Sequence, residues 1–332
     1  MSTLCGLARN RFSAPSLESL QGIPLSGKTV IVTGASGGLG LEAARHYARL
    51  GASRVILAVR SQTRGDQAKN NILESLTPEQ AKSCAVEVWI VDLASFASVK
   101  AFGDKVNNEL QTLDIAILNA AVSKGEYSQT IDGWEETLQV NVLSTALLAL
   151  LILPKMRQSS GPDWKPRMSI VGSRAHQTVS DKAPWQTEPR ILQTLNDKDE
   201  FGKFADRYAL SKLLVSYTSR EIAKMGESPD GQIEVVVNYL CPGACKSDLA
   251  RDWSSPQGKI MLSMIQATIC KTTEEGSRTL VYASSLGEKS HGLWVHNDRI
   301  EEPGKLVIND KGKKLQAKIW DETLKVLEPY GV

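Results

Sequence analysis

The chain has 332 residues, enough for one large α/β domain or two small ones. Its 39 basic and 37 acidic residues are interspersed and leave a net charge of +2, with no basic stripe to mark a nucleic-acid footprint. Apolar content of 42% and charged content of 23% are ordinary for a globular protein, and five cysteines without a secretory segment argue against a disulfide framework.

Residues 1–26 read as an extension ahead of the first strand. They hold no long apolar core and do not read as a signal peptide. The strand is expected over 28–33, where Lys28-Thr29-Val30-Ile31-Val32 is rich in β-branched residues. Thr33-Gly34-Ala35-Ser36-Gly37-Gly38-Leu39-Gly40 follows, and a helix is expected over 39–50. Strand, glycine-rich turn and helix form the setting of a dinucleotide site. Gly34 suits the tight turn, Gly38 the approach of a pyrophosphate, and Gly40 close helix packing. Ser36 and Leu39 belong to the same turn as further cofactor contacts. The helix N-terminus turns its free N–H groups and positive dipole end toward the phosphates. Taken alone, such a glycine triplet is also found in ordinary connections.

The second strand, 54–59, ends in Ala58-Val59-Arg60 and lacks the carboxylate that binds the ribose 2′-hydroxyl of NAD. Arg60 and Arg64 instead offer two cations suited to a 2′-phosphate, which points to NADP(H). Two solvated arginines are the alternative. Helices are expected over 64–76 and 96–110, and strands over 85–91 and 113–118. A further helix is expected over 133–157. Its apolar run Val142–Pro154 is shorter than the ~20 residues of a membrane span and reads as a core helix, so no integral membrane segment is expected. Strand 167–172, helix 204–225, strand 233–240, helix 272–286 and strand 291–296 complete the alternation, and a helical pattern closes the chain at 318–327. The order implies an α/β fold, a Rossmann-like doubly wound parallel sheet. One domain is expected over 27–300, with 301–332 as its C-terminal helical extension. Cys241 and Cys245 stand four apart, but no histidine completes a zinc spacing, so no metal is expected and small buried cysteines are the better reading.

Tyr208 and Lys212 fall one turn apart on helix 204–225 and share a face. A phenol titrates near ~10, and a nearby ammonium favours its ionised form, so the pair suits a tuned acid/base. Together with the T-G-x-x-x-G-x-G spacing, this pair makes the chain resemble the short-chain dehydrogenase/reductase family over residues 26 to about 300. The retinol-dehydrogenase-like branch, and within it fungal members of natural-product pathways, are the most similar in pattern. The resemblance implies that Asp92 and Leu93 contact the adenine and that Asn119-Ala120-Ala121 is the family's N-A-G element, narrowed by Ala121. It implies that Pro242-Gly243 lies beside the nicotinamide, with Ser247 where a Thr is frequent. It makes Tyr208 the proton donor, and gives Lys212 the phenolate and the nicotinamide ribose. Ser173 becomes the hydrogen-bond donor to the carbonyl oxygen, and Asn141 the holder of a water that relays protons toward the lysine.

Two segments, 174–207 with Trp185 and 246–271 with Trp253 and Ile260–Ile265, exceed the family's shorter pattern. They are expected to wall the substrate entrance for a bulky apolar small molecule. Stacking of that apolar stripe on the core is the alternative. The expected activity is NADP(H)-dependent interconversion of a carbonyl and a secondary alcohol on a secondary-metabolite intermediate, in a cytoplasmic enzyme that forms a homodimer or homotetramer. A dehydratase, isomerase or cyclase on the same fold, and a non-catalytic cofactor-binding scaffold, are the competing readings.

Overall fold

The computed structural model describes residues 13–21, 23–202, 207–246 and 270–332. Eight strands form one sheet in the order β3-β2-β1-β4-β5-β6-β7-β8. They are β1 Thr29–Thr33, β2 Arg54–Val59, β3 Ala85–Ile90, β4 Ile115–Leu118, β5 Arg167–Val171, β6 Val236–Cys241, β7 Trp294–His296 and β8 Arg299–Glu301. The first seven are mutually parallel, and β8 pairs antiparallel with β7. The strand order reverses between β1 and β4, which opens a crevice at the carboxyl ends of the strands.

The strands are near-continuous apolar runs because both faces of the sheet are covered. Val30, Val32, Val55 and Leu57 join the core beneath helices α1 Gly38–Arg49, α2 Gln62–Glu74 and, later in the chain, Thr273–Ser285. Ile31, Ile56 and Ala58 point the other way, as the two-residue period of a strand requires. They pack on α4 Phe96–Glu109, α5 Glu136–Gln158 and α7 Arg207–Met225. Between these elements lie α3 Pro78–Ser83 and α6 Ile191–Asn196; after them come α8 Thr273–Ser285, α9 Lys305–Ile308 and α10 Asp310–Leu327. Among the described residues only α5 is long and apolar enough to cross a membrane, yet 94% of that window is buried inside the protein, so α5 is a core helix as expected.

Several boundaries differ from expectation, each for a local reason. Strand β4 starts at Ile115 because Asp114 turns its carboxylate to the Lys28 ammonium (3.0 Å) and the Thr29 N–H (2.9 Å). Helix α3, not expected, is set by a capping box: Thr77 Oγ1 accepts from Gln80 N while Gln80 Oε1 accepts from Thr77 N. The C-terminal helix begins eight residues earlier than its apolar pattern, where Asn309 Oδ1 accepts from Gly312 N at 2.7 Å. Part of the N-terminal extension is anchored. Leu20 and Leu25 are buried, and Ser13 Oγ accepts from Asn297 Nδ2 at 2.8 Å.

Segment 174–207 corrects an expectation. None of its described residues lines the cleft; Trp185, Ile191, Leu192 and Leu195 are buried in the core. Helix α10 covers them, and Glu322 caps α6 by accepting from Ile191 N (2.9 Å) and Leu192 N (2.7 Å). Tryptophan in a core and tryptophan in a pocket wall carry the same sequence signal; only α10, 130 residues downstream, distinguishes them. Of the second segment, 247–269, including Ser247, Trp253 and Ile260–Ile265, lies outside the described residues.

Candidate active site

A cleft of about 440 Å³ runs along the carboxyl ends of β1, β2, β4, β5 and β6. Its first half is built by the turn after β1. Gly34 takes a left-handed φ of 68°, and a Cβ there would come 3.0 Å from Ala120 Cα. Gly38 also has positive φ, 59°, and opens α1 with free space around it. Gly40 does not line the cleft. A Cβ on it would lie 2.6 Å from the Gly34 carbonyl oxygen and 2.7 Å from Asn119 Nδ2, so it is the close-packing glycine that its place in the triplet suggested. Gly34, Ser36, Gly38 and Leu39 line the cleft with Arg60, Arg64, Asp92, Leu93, Asn119 and Ala120. Arg60 and Arg64 are exposed on its rim, and Arg64 Nη2 lies 3.7 Å from where a side chain on Gly37 would begin.

Thr33, the residue that opens the glycine motif, holds the two sides of the crevice together, a part that the motif's spacing did not assign to it. Its hydroxyl oxygen accepts from Asn119 N (2.9 Å) and Ala120 N (3.0 Å), while Asn119 Nδ2 donates to the Thr33 carbonyl at 2.9 Å. The role of Asn119 is therefore to fix the turn after β4 onto the turn after β1.

The second half of the cleft carries Ser173, Tyr208 and Lys212, with Pro242, Gly243, Cys241 and Cys245. Lys212 is buried and donates from Nζ to the Val171 carbonyl at 2.8 Å; Nζ stands 5.6 Å from the Tyr208 ring centroid. Burial pushes the Lys212 ammonium down to about 8, with a smaller opposing effect from Cys241. Ser173, two residues past β5, is extended and caps the turn Arg174–Thr178, its hydroxyl oxygen accepting from Ala175 N at 3.2 Å. Cys241 is buried, its sulfur accepting from the N–H groups of Arg174 and Gly243 at 3.3 Å each. Cys245 is only half-buried and faces the cleft, contrary to expectation, because it lies beyond the turn on the bridge to Lys271.

Asn141 is buried beside the cleft and does not line it. It lies in a π-turn, Gln139–Leu143, within α5. Its Oδ1 accepts from Val122 N (2.8 Å), and its Nδ2 donates to Val122 O (2.9 Å) and Ser211 Oγ (3.0 Å). Ser211 in turn donates to the Tyr208 carbonyl at 2.8 Å. The amide thus spends its oxygen and both N–H groups on protein partners. It ties α5, the strand-β4 turn and the Tyr208 turn of α7 together, and the side chain has no donor left over for a water relay.

The profile of the short chain dehydrogenase family matches residues 28–162. A short chain dehydrogenase/reductase named dmxR8, from Cryptosporiopsis sp. (strain 8999), is 40% identical over 308 residues, covering 91% of each chain. Another, ffsI from Aspergillus flavipes, is 40% identical over 307 residues, covering 90% of this chain and 85% of its own. The chain belongs to the short-chain dehydrogenase/reductase family. Its fold is that of the family's solved structures. RhlG of Pseudomonas aeruginosa, in an NADP active-site complex, superposes with a TM-score of 0.59 at 21% identity, over 85% of this chain and 98% of its own. A protein from Mycobacterium paratuberculosis superposes with a TM-score of 0.63 at 23% identity, over 96% and 97%. Relatives of the fungal kind, anticipated by the resemblance, are thus present among the similar sequences.

Membership in this dehydrogenase family makes the charge state of Lys212 worth testing. Its folded pKa lies below its unfolded value of 10.5, so the unfolded chain binds more protons between about 8 and 10.5. Stability contributed by this position therefore rises with pH across that window. Lys212→Met removes the titration. The stability of the parent relative to Lys212→Met is expected to improve from pH 8 to pH 10, measured by denaturant unfolding at each pH. A difference that does not move would show that the ammonium is not desolvated.

Proposed function

We propose that the protein is an NADP(H)-dependent oxidoreductase that interconverts a carbonyl and a secondary alcohol on a small molecule of secondary metabolism. The observation that carries this reading is that Tyr208, Lys212 and Ser173 face one cleft with the glycine turn that would hold a dinucleotide. The residues fit that group. Gly34 and Gly38 leave the main chain bare where a phosphate would approach, α1 presents its N-terminus there, and Asp92, Leu93, Pro242 and Gly243 line the rest of the channel. When bound, the nicotinamide supplies the hydride.

The residues of the chain do the remainder. Tyr208 gives its phenolic proton to the carbonyl oxygen as negative charge develops there. Lys212, held by the Val171 carbonyl one turn along α7, stabilises the phenolate left behind. Ser173 donates a hydrogen bond to the same carbonyl oxygen, an oxyanion-type contact. Asn141 positions the Tyr208 turn through Ser211. Beside these groups the described wall is mixed, Val122 and Val140 being apolar and Ser123 and Glu136 polar.

The test is consumption of NADPH, read from the absorbance of the reduced nicotinamide, against a panel of ketones, quinones and aldehydes. Alcohol formed in step with NADPH lost is the expected result. Product formed with no net change in the cofactor would replace this reading by a redox-neutral one. No turnover with NADPH tightly bound would favour a scaffold.

Cofactor choice has its own expected result. Arg60 and Arg64 supply the only cations on the rim beside the glycine turn among the described lining residues. Hydrogen bonds to a charged group contribute about 1.5–3 kcal/mol, and ~1.4 kcal/mol is tenfold in affinity. Because both side chains are exposed and screened by salt, Arg60→Ala/Arg64→Ala should weaken NADPH binding by about tenfold and leave NADH binding unchanged. Dissociation constants for both cofactors decide it. Equal losses would make the arginines structural, and a parent that prefers NADH would defeat the NADP(H) assignment.

A further inference from the structure

His176 stands three residues beyond Ser173, in the single-turn helix Arg174–Thr178 that packs on α7. It is buried, 1% exposed, and both ring nitrogens are used. Nδ1 lies 2.7 Å from the Ser173 carbonyl oxygen. Nε2 lies 2.8 Å from the Gly304 N–H, 128 residues away in the turn before α9. A main-chain N–H can only donate, so Nε2 is the bare nitrogen. The proton then sits on Nδ1 and is donated to Ser173. Burial, aided by Arg174 on the same turn and His296 on β7, holds this imidazole below its usual range, against the opposing pull of the Ser173 carbonyl. His296 is itself paired with Glu301 of β8 at 3.0 Å. The neutral form that the two bonds require is therefore the favoured one.

The fit around the ring is tight. The imidazole stands T-shaped against the ring of Trp294, with centroids 5.0 Å apart at 86°. A Cβ on Gly304 would come 3.1 Å from His176 Cδ2 and 3.2 Å from Nε2, so only glycine brings its N–H this close without displacing the ring.

We infer that His176 is a positioning residue: one neutral imidazole clamps the main chain of Ser173 to the C-terminal segment at Gly304, and so sets where the Ser173 hydroxyl stands in the cleft. The inference rests on the carbonyl chemistry proposed above for its kinetic consequence, and on geometry alone for the clamp.

The experiments use the full chain. Histidine-selective ¹⁵N labelling reads the tautomer in the parent, with Nδ1 protonated and Nε2 bare as the expected result. His176→Phe keeps a ring against Trp294 and removes both nitrogens. In that variant hydrogen exchange is expected to quicken together in residues 172–178 and 302–306. With phenanthrenequinone as the carbonyl probe, kcat is expected to fall by about 10²-fold, the cost of a ~1 Å misplacement, while the NADPH dissociation constant is retained. His176→Gln carries one donor and one acceptor and should recover part of the loss. Gly304→Ala presses on the same ring from the far side and should lower kcat in the same sense. A proton on Nε2, or exchange in the two segments that does not respond to His176→Phe, overturns the clamp. Folded His176→Phe with the kcat of the parent overturns its bearing on Ser173. A parent that consumes no NADPH with any carbonyl sinks the proposed function instead, and leaves the tautomer and exchange results to decide the clamp.

Discussion

Tyr208→Phe is expected to lower kcat by about 10²–10⁴-fold, the range that a placed proton donor contributes, with NADPH affinity retained. The substitution removes one oxygen. The ring stays on α7, a turn from Lys212, and the glycine turn that would hold the phosphates is built by other residues. Ser173 still lines the cleft, so the activity left in the variant measures what its proposed contact to a carbonyl oxygen would do alone. The measurement is kcat and the NADPH dissociation constant for parent and variant on the same substrate. Activity within a few-fold of the parent would remove Tyr208 from the mechanism. Loss of cofactor binding together with kcat would make its hydroxyl a structural group.

Glu135→Ala should cost about 3–5 kcal/mol of folding stability, the range for stripping one partner from a buried ion pair. Glu135 is 0% exposed, and Oε2 lies 3.6 Å from Arg207 Nε. Its two oxygens also accept from Thr137 N and Leu138 N at 2.9 Å, which caps α5. Arg207 is nine-tenths buried, stacks 5.1 Å over the Phe201 ring, and donates to the Leu195 carbonyl. Without Glu135 that guanidinium keeps no carboxylate within reach among the described residues. Glu135→Gln retains an acceptor for the cap and should lose less. Denaturant unfolding monitored by circular dichroism gives both values. A loss below about 1 kcal/mol for the alanine variant would place the pair among those that contribute little.

The parallel sheet was legible because its strands are short apolar runs separated by helices, and both faces must be covered. The cleft was legible for a related reason. Gly34, Tyr208, Lys212 and Ser173 sit at spacings that only make sense once a turn, a helix face and a strand end are in place. What escaped lies in long-range partners. Asn141 announced an amide, but not that Val122 and Ser211 would take both of its N–H groups. Trp185 announced bulk, but not that α10 would cover it. His176 is unremarked in its own neighbourhood, since its second partner is 128 residues distant. Helix α3 is the exception, since Thr77-Pro78 with Gln80 at the third helical position is a local signal. Strand β8, three residues long and antiparallel, carries no pattern that a sequence could display.

The bonds from Glu322 to α6 and from Gly304 to His176 also set a timetable for synthesis. Each closes a loop of about 130 residues. A ribosome adds roughly 5–20 residues per second, so about 6–25 s pass between the emergence of His176 and that of Gly304. Between the emergence of Leu195 and that of α10 the nascent chain shows the greasy side of Trp185, Ile191 and Leu195 without the helix that covers it, which is the kind of surface that chaperones hold. Newly made protein should therefore acquire activity only after release of residues 304–327, and translation paused before that stretch should yield chains that aggregate instead of chains with partial activity.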